Sequence, residues 1–275
     1  MSGTLPLFAR ARDSADRTAI TSDGESYSYA QLLEDSAGVA AALLDGRANL
    51  DGARVCLLGP PGYDYGAGQW GIWRAGGVAV PLGMMHPLPE LEYTLEDSGA
   101  MAIVADAGLL EKVRPLAESR NLPLLSSRVL MSHEPVALPV LEPDRHAMIL
   151  YTSGTTSKPK GVVTSHATIQ AQITSLVEAW GWTAEDRILH VLPLHHIHGI
   201  INVLGCALWS GACCQFLHRE FTGIDQQVRR QFEKIRHRKE VIGPSPARGS
   251  AQLHSEGNGC IPGRDIDDAG TFAPI

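Results

Sequence analysis

Apolar residues recur along this chain in two alternating rhythms. Over 29–44, Leu33, Ala37, Ala40, Ala41 and Leu44 share one helical face, and Asp45-Gly46 stops the run. Residues 54–58 form a short, nearly continuous apolar stretch, the pattern of a buried strand. The same pair then repeats. A helix over 63–75 is closed by Gly76-Gly77 and followed by a strand over 78–82. A helix over 89–97 carries Glu90 and Glu92 in its first turn, where the helix dipole favours acids, and a strand over 101–105 follows. A helix over 109–119 precedes a strand over 122–125. An amphipathic helix over 5–15 opens the chain. Residues 131–145 are proline-rich and predict a loop, and a strand over 148–151 comes next. Strands alternating with helices of about ten residues predict an α/β fold: mainly parallel sheets with helices covering both faces.

Composition narrows the class. The 275 residues are 44% hydrophobic and 19% charged, with a net charge of −7. Such a chain is apolar enough to build a core, and a basic nucleic-acid surface is not expected. No apolar run reaches the roughly 18 residues of a membrane-spanning helix. The five cysteines, Cys56, Cys206, Cys213, Cys214 and Cys260, form no CxxC pair, which argues against a disulfide framework or a cysteine zinc site and for a reducing compartment. Residues 5–9 are too short for a secretory signal. Arg10, Arg12 and Arg17 raise a mitochondrial presequence as an alternative, but Asp13 and Asp16 are out of place in one, so cytosol is expected.

The strand over 148–151 leads into the most informative stretch, YTSGTTSKPKGVVTSH at 151–166. Thr152, Ser153, Thr155, Thr156 and Ser157 put five small hydroxyls within six positions. Gly154 and Gly161 allow close backbone approach or positive φ, Lys158 and Lys160 bring charge, and Pro159 stiffens the stretch between them. Hydroxyls, amides and lysines after a strand suit a polyphosphate. A Walker A loop is excluded, because Pro159 stands where its second glycine belongs. A plain Ser/Thr/Gly surface loop is the bland alternative. The full string resembles the phosphate-binding signature of the acyl-adenylate-forming enzymes: acyl-CoA synthetases, peptide-synthetase adenylation domains and luciferases. The match comprises Tyr151, Thr152, Ser153, Gly154, Thr155, Thr156, Pro159, Lys160 and Gly161. Ser157 departs from the family's glycine; where φ > 0 is needed there, serine costs about 1 kcal/mol.

A second stretch, RILHVLPLHHIHGI at 187–200, reads as a strand over 188–192 ended by Pro193, then His195, His196, His198 and Gly199. Taken alone, three histidines are open to a zinc reading, although HHxH is not a usual ligand spacing, and to a reading as simple loop histidines. The resemblance implies a third: His196 lines an acyl pocket, and Gly199 lets backbone pass close to a ligand. GGVAVPL at 76–82 also resembles an early stretch of these enzymes. Within the superfamily the three strings are most similar to malonyl-CoA synthetases, though medium-chain and aromatic acyl-CoA ligases share much of the vocabulary.

The resemblance implies a two-step ligation. ATP and a carboxylate, malonate or another acyl acid, give an acyl-adenylate and pyrophosphate; coenzyme A then displaces AMP. Lys160 and His196 are the catalytic candidates. Thr152, Ser153, Gly154, Thr155, Thr156, Ser157, Lys158, Lys160 and Gly161 are the nucleotide-binding candidates, and Thr156 is assigned to Mg2+ bridging the phosphates. The resemblance runs to about residue 240, so 1–240 is expected to be part of the large N-terminal adenylate-forming domain, incomplete. The family's adenine and magnesium-glutamate segment, its ribose aspartate and its C-terminal lid are missing from these 275 residues. Residues 229–239 form a basic, helix-like run, and the Gly/Pro/Ser-rich tail over 241–275 is expected to be disordered. The chain is accordingly expected to be a truncated gene model or splice product, poorly soluble alone, with family-like codons downstream of codon 240. A non-catalytic ATP-binding fragment is the alternative to a ligase.

Overall fold

Short apolar runs and amphipathic segments pair as the alternation requires. The computed structural model describes residues 5–152 and 158–216, all within one unit, Met1–Phe221. In chain order the elements are α1 (Pro6–Asp13), β1 (Thr18–Ser22), β2 (Glu25–Ser28), α2 (Tyr29–Leu44), β3 (Arg54–Leu58), α3 (Tyr63–Arg74), β4 (Val78–Pro81), α4 (Leu88–Ser98) and β5 (Ala102–Ala105). They continue with α5 (Leu110–Ser119), β6 (Leu124–Ser126), α6 (Ser127–Leu130), β7 (His146–Thr152), β8 (Lys160–Ser165), α7 (His166–Trp180) and β9 (Arg187–His190). A π-helical turn, His198–Gly205, runs into α8 (Cys206–Trp209), and β10 (Cys213–Phe216) follows.

Among the described residues the strands form two sheets. The larger has the order β6-β5-β3-β4-β7-β8, and the smaller β2-β1-β10-β9. All neighbours are parallel except β1–β2 and β7–β8, so the architecture is mixed α/β, with an antiparallel strand at one edge of each sheet. The runs of β3, β4 and β5 are apolar on both faces because both faces are covered. Val55, Leu57, Ala79, Ala102 and Val104 point to the core shared with the smaller sheet. The alternate residues Cys56, Leu58, Val80, Ile103 and Ala105 point to a second core closed by α4 and α5. Leu91 and Leu95 of α4 are fully buried there, each contributing roughly 1.5–3 kcal/mol through the apolar surface it hides. α2 and α3 pack on each other, and α3 touches β1 on one side and β3 and β4 on the other.

Local signals fix the ends. The Ser28 hydroxyl accepts the Gln31 N–H at 3.1 Å to start α2, and Asp45, at φ 45°, ends it. The Ser165 hydroxyl accepts the Thr168 N–H at 3.1 Å to start α7, a helix the sequence reading passed over. Also passed over were the β1–β2 hairpin, turned by Asp23-Gly24 with both φ positive, and β10. The loop expected over 131–145 contains no regular element beyond the end of α6. The expectations for 229–239 and 241–275 lie outside the described residues.

Candidate active site

The hydroxyl- and lysine-rich stretch follows the C-terminal end of β7 and returns as β8. Thr152 is in register with Lys160, and Tyr151 with Gly161. A loop that returns as a strand, with no helix opening from it, agrees with the exclusion of a Walker A motif. Directly opposed side chains share a face of a sheet, so the Thr152 hydroxyl and the Lys160 ammonium stand on one side of the hairpin, both exposed. On the other side Gly161 has a structural reason. A Cβ there would sit 2.9 Å from Ile149 Cγ2 and 3.1 Å from Tyr151 Cζ. The room expected at Gly161 for a ligand is taken by the tyrosine of the neighbouring strand, and its φ is not positive. Lys158 Nζ lies 5.0 Å from the centre of the Tyr93 ring, a cation–π distance. Ser153, Gly154, Thr155, Thr156 and Ser157 lie outside the described residues.

The histidine stretch leaves the C-terminal end of β9. His190 is buried, and its Nε2 donates to the Gly199 carbonyl at 3.0 Å, since that oxygen can only accept. Burial holds the His190 imidazole below its usual range, and its Nδ1 is buried without a hydrogen-bond partner among the described residues. The Tyr65 hydroxyl of α3 donates to the Leu194 carbonyl. Gly199 is needed because a Cβ would collide with the Pro193 carbonyl oxygen: the backbone that passes close is the loop's own. His195 is half-buried and His196 exposed, their rings 4.1 Å apart. His86, in the segment between β4 and α4, packs edge-on against His195 at 5.1 Å. Burial first, then the neighbouring His196 and His86, lowers the His195 pKa to about 4, so this ring is neutral at pH 7. These rings pack by faces and edges, and among the described residues no group of three His, Cys, Asp or Glu side chains could hold a metal. That weighs against the zinc reading. Thr156, the residue assigned to Mg2+, lies outside the described residues.

The two stretches belong to one end of the molecule. A cleft of about 440 Å3 is lined by Pro60 after β3, Met84 after β4, Asp106 and Leu109 after β5, and His190 and Val191 at the end of β9. The C-terminal ends of strands from both sheets therefore converge on one opening, the place where parallel α/β sheets bind ligands. β7 runs parallel to β4, so the phosphate-type loop emerges at the same end. Sequence reading missed His86, Tyr93, Met84, Asp106 and the burial of His190. The signal available for three of them was position, since residues just after each predicted strand of such a sheet are site candidates.

Comparison with known proteins agrees with this geometry. The sequence profile described as AMP-binding enzyme matches residues 7–239. The mitochondrial malonate–CoA ligase of Xenopus laevis is 39% identical over 230 residues, covering 79% of this chain and 40% of the relative. The malonate–CoA ligase of Arabidopsis thaliana is 34% identical over 252 residues, covering 82% and 41%. The chain thus spans about two-fifths of the length of these curated relatives. Among solved structures, ATP-bound MatB from Rhodopseudomonas palustris superposes with a TM-score of 0.69 at 30% identity, over 78% of this chain and 45% of that one. The N-terminal subdomain of Klebsiella oxytoca NpsA, at 24% identity and a TM-score of 0.71 over 86% of this chain and 58% of that one, shares the fold. With the profile spanning most of its length, this chain belongs to the AMP-binding enzyme family and carries the N-terminal fold of acyl-CoA synthetases.

Proposed function

We propose that this chain supplies the phosphate-binding and acyl-binding part of an ATP-dependent carboxylate–CoA ligase whose acid is malonate. The observation that carries the reading is the β7–β8 hairpin, with Lys160 opposite Thr152 at the mouth of a hydroxyl-rich loop. The malonate preference is supported by relatives near 40% identity named as malonate–CoA ligases.

In the first step a carboxylate oxygen attacks the α-phosphorus of ATP, and pyrophosphate leaves with the electron pair of the broken P–O bond. The leaving group gathers negative charge, and the Lys160 ammonium and the Thr152 hydroxyl on one side of the hairpin suit it. Lys160, Thr152 and the hydroxyls at 153–157 are assigned this role, with Mg2+ arriving on the nucleotide's phosphates. In the second step the coenzyme A sulfur attacks the acyl carbon, and AMP leaves with the electrons of the acyl–oxygen bond. His196, exposed beside a neutral His195, is assigned to the acyl group: its imidazole can hydrogen-bond a carboxylate oxygen.

A second reading is favoured by length. A chain spanning about two-fifths of its relatives can bind ATP without completing the ligation. ATP–pyrophosphate exchange by the 275-residue chain, with malonate, acetate or benzoate, separates the two. Malonate-dependent exchange supports the ligase reading; MgATP binding with no exchange for any acid supports the fragment reading. For compartment we keep the cytosol, against the mitochondrial placement in the animal relatives' names; imaging of the tagged chain tests it.

A further inference from the structure

The stem of the phosphate-type loop is tied to a helix that no motif pointed to. Tyr93 and Asp97 are four residues apart on α4, hence on one helical face. The Tyr151 hydroxyl, from the strand entering the loop, donates to Asp97 Oδ2 at 2.7 Å. The Tyr93 hydroxyl lies 3.0 Å from the carbonyl of Pro159, on the side leaving the loop, and 3.3 Å from Asp97 Oδ1. One hydroxyl has one hydrogen to give, and the shorter contact is the one to Pro159. The Tyr93 and Tyr151 rings meet edge-on at 6.3 Å, and Lys158 Nζ sits 5.0 Å over Tyr93. Burial, then the bond to Asp97, raises the Tyr151 pKa, so this phenol keeps its proton and donates throughout the neutral range. α4 is itself fastened to the sheet through the fully buried Leu91 and Leu95. Both ends of the loop, and the lysine beside it, are therefore held by one rigid element.

We propose that Tyr93 and Asp97 of α4 are positioning residues for the nucleotide's phosphates: they fix the width of the loop mouth and the direction of Lys158 before the ligand arrives. The proposal rests on the phosphate-site reading of the hairpin. Its physical basis is preorganisation, because a loop fixed at both ends gives up less freedom on binding.

The test uses the 275-residue chain and two variants, Asp97→Ala and Tyr93→Phe. Tyr93→Phe keeps the ring and loses only the hydroxyl. Three readouts are taken: hydrogen exchange of peptides spanning β7–β8, titration with MgATP, and the melting midpoint. The expected result is faster exchange at the hairpin and MgATP affinity lowered about fivefold in each variant, as for losing one hydrogen bond. The midpoint should fall by no more than about 2–4 °C, the cost of one hydrogen bond in a chain of this size; a larger fall with unchanged affinity marks a merely structural role and overturns the positioning role. Unchanged exchange in both variants overturns the clamp. Faster exchange with unchanged affinity overturns the positioning role. If the parent takes up no MgATP, the phosphate-site reading fails and the positioning role with it; the exchange readout still reports whether the clamp exists, so the two failures are distinct.

Discussion

Gly199 and Gly161 are both glycines of recognisable motifs, and in both cases the neighbour that excludes a side chain is the protein itself. At Gly199 it is the Pro193 carbonyl, at Gly161 the Tyr151 ring. Gly199→Ala should therefore destabilise the chain by about 1–3 kcal/mol, the usual cost of overpacking, read from the shift of a urea unfolding midpoint. Thr152, Lys160 and His196 could be nominated from the sequence because a motif is local: its chemistry and spacing survive without knowledge of the fold. His86, Tyr93 and Asp97 were not, because each meets its partner only after β4, α4 and β7 or β9 have come together. Asp97 and Tyr151 lie 54 residues apart in sequence and 2.7 Å apart in space.

Among the elements, those with a long, uninterrupted hydrophobic rhythm were read nearly to the residue. α2 and β3 have the predicted bounds; α3, β4, β5 and α5 differ by a residue at one end and α4 by a residue at each end. α7 carries Ile169, Ile173, Leu176 and Val177 at helical spacing, a period that the sequence holds but that was not among the expected elements. Its start is a Ser165 cap, and Ser165→Ala should cost about 1 kcal/mol of stability, measured by the same urea unfolding. The short strands β1, β2 and β10 were not read from period alone; partners in the sheet make them strands, whereas β6, expected over 122–125, forms over Leu124–Ser126. The Asp23-Gly24 turn was the one local clue to the first hairpin.

For the whole molecule, an alternation of strands and helices predicts parallel neighbours, and the described residues obey it except at an edge of each sheet. There β2 and β8 follow their partners after short connections, and a short connection returns antiparallel. The two sheets together make a pH dependence. His166, buried against Trp73 and repelled by Arg145, and His195 in the histidine stretch both have pKa values lowered from 6.5 to about 4, burial being the larger cause. Between those limits the unfolded chain binds protons that the folded chain does not, so stability rises with pH. The melting midpoint should be level above about pH 7, fall as pH drops from 6.5 to 4, and shift less over that interval in His166→Phe. The central claim, that the β7–β8 hairpin holds the phosphates of a nucleotide, is tested most directly by calorimetric titration of the parent chain and Lys160→Met with MgATP. Saturable binding by the parent, weakened about tenfold or more in the variant as for a lost charged hydrogen bond, is the predicted result. Equal affinity in both, or no binding by the parent, would contradict it.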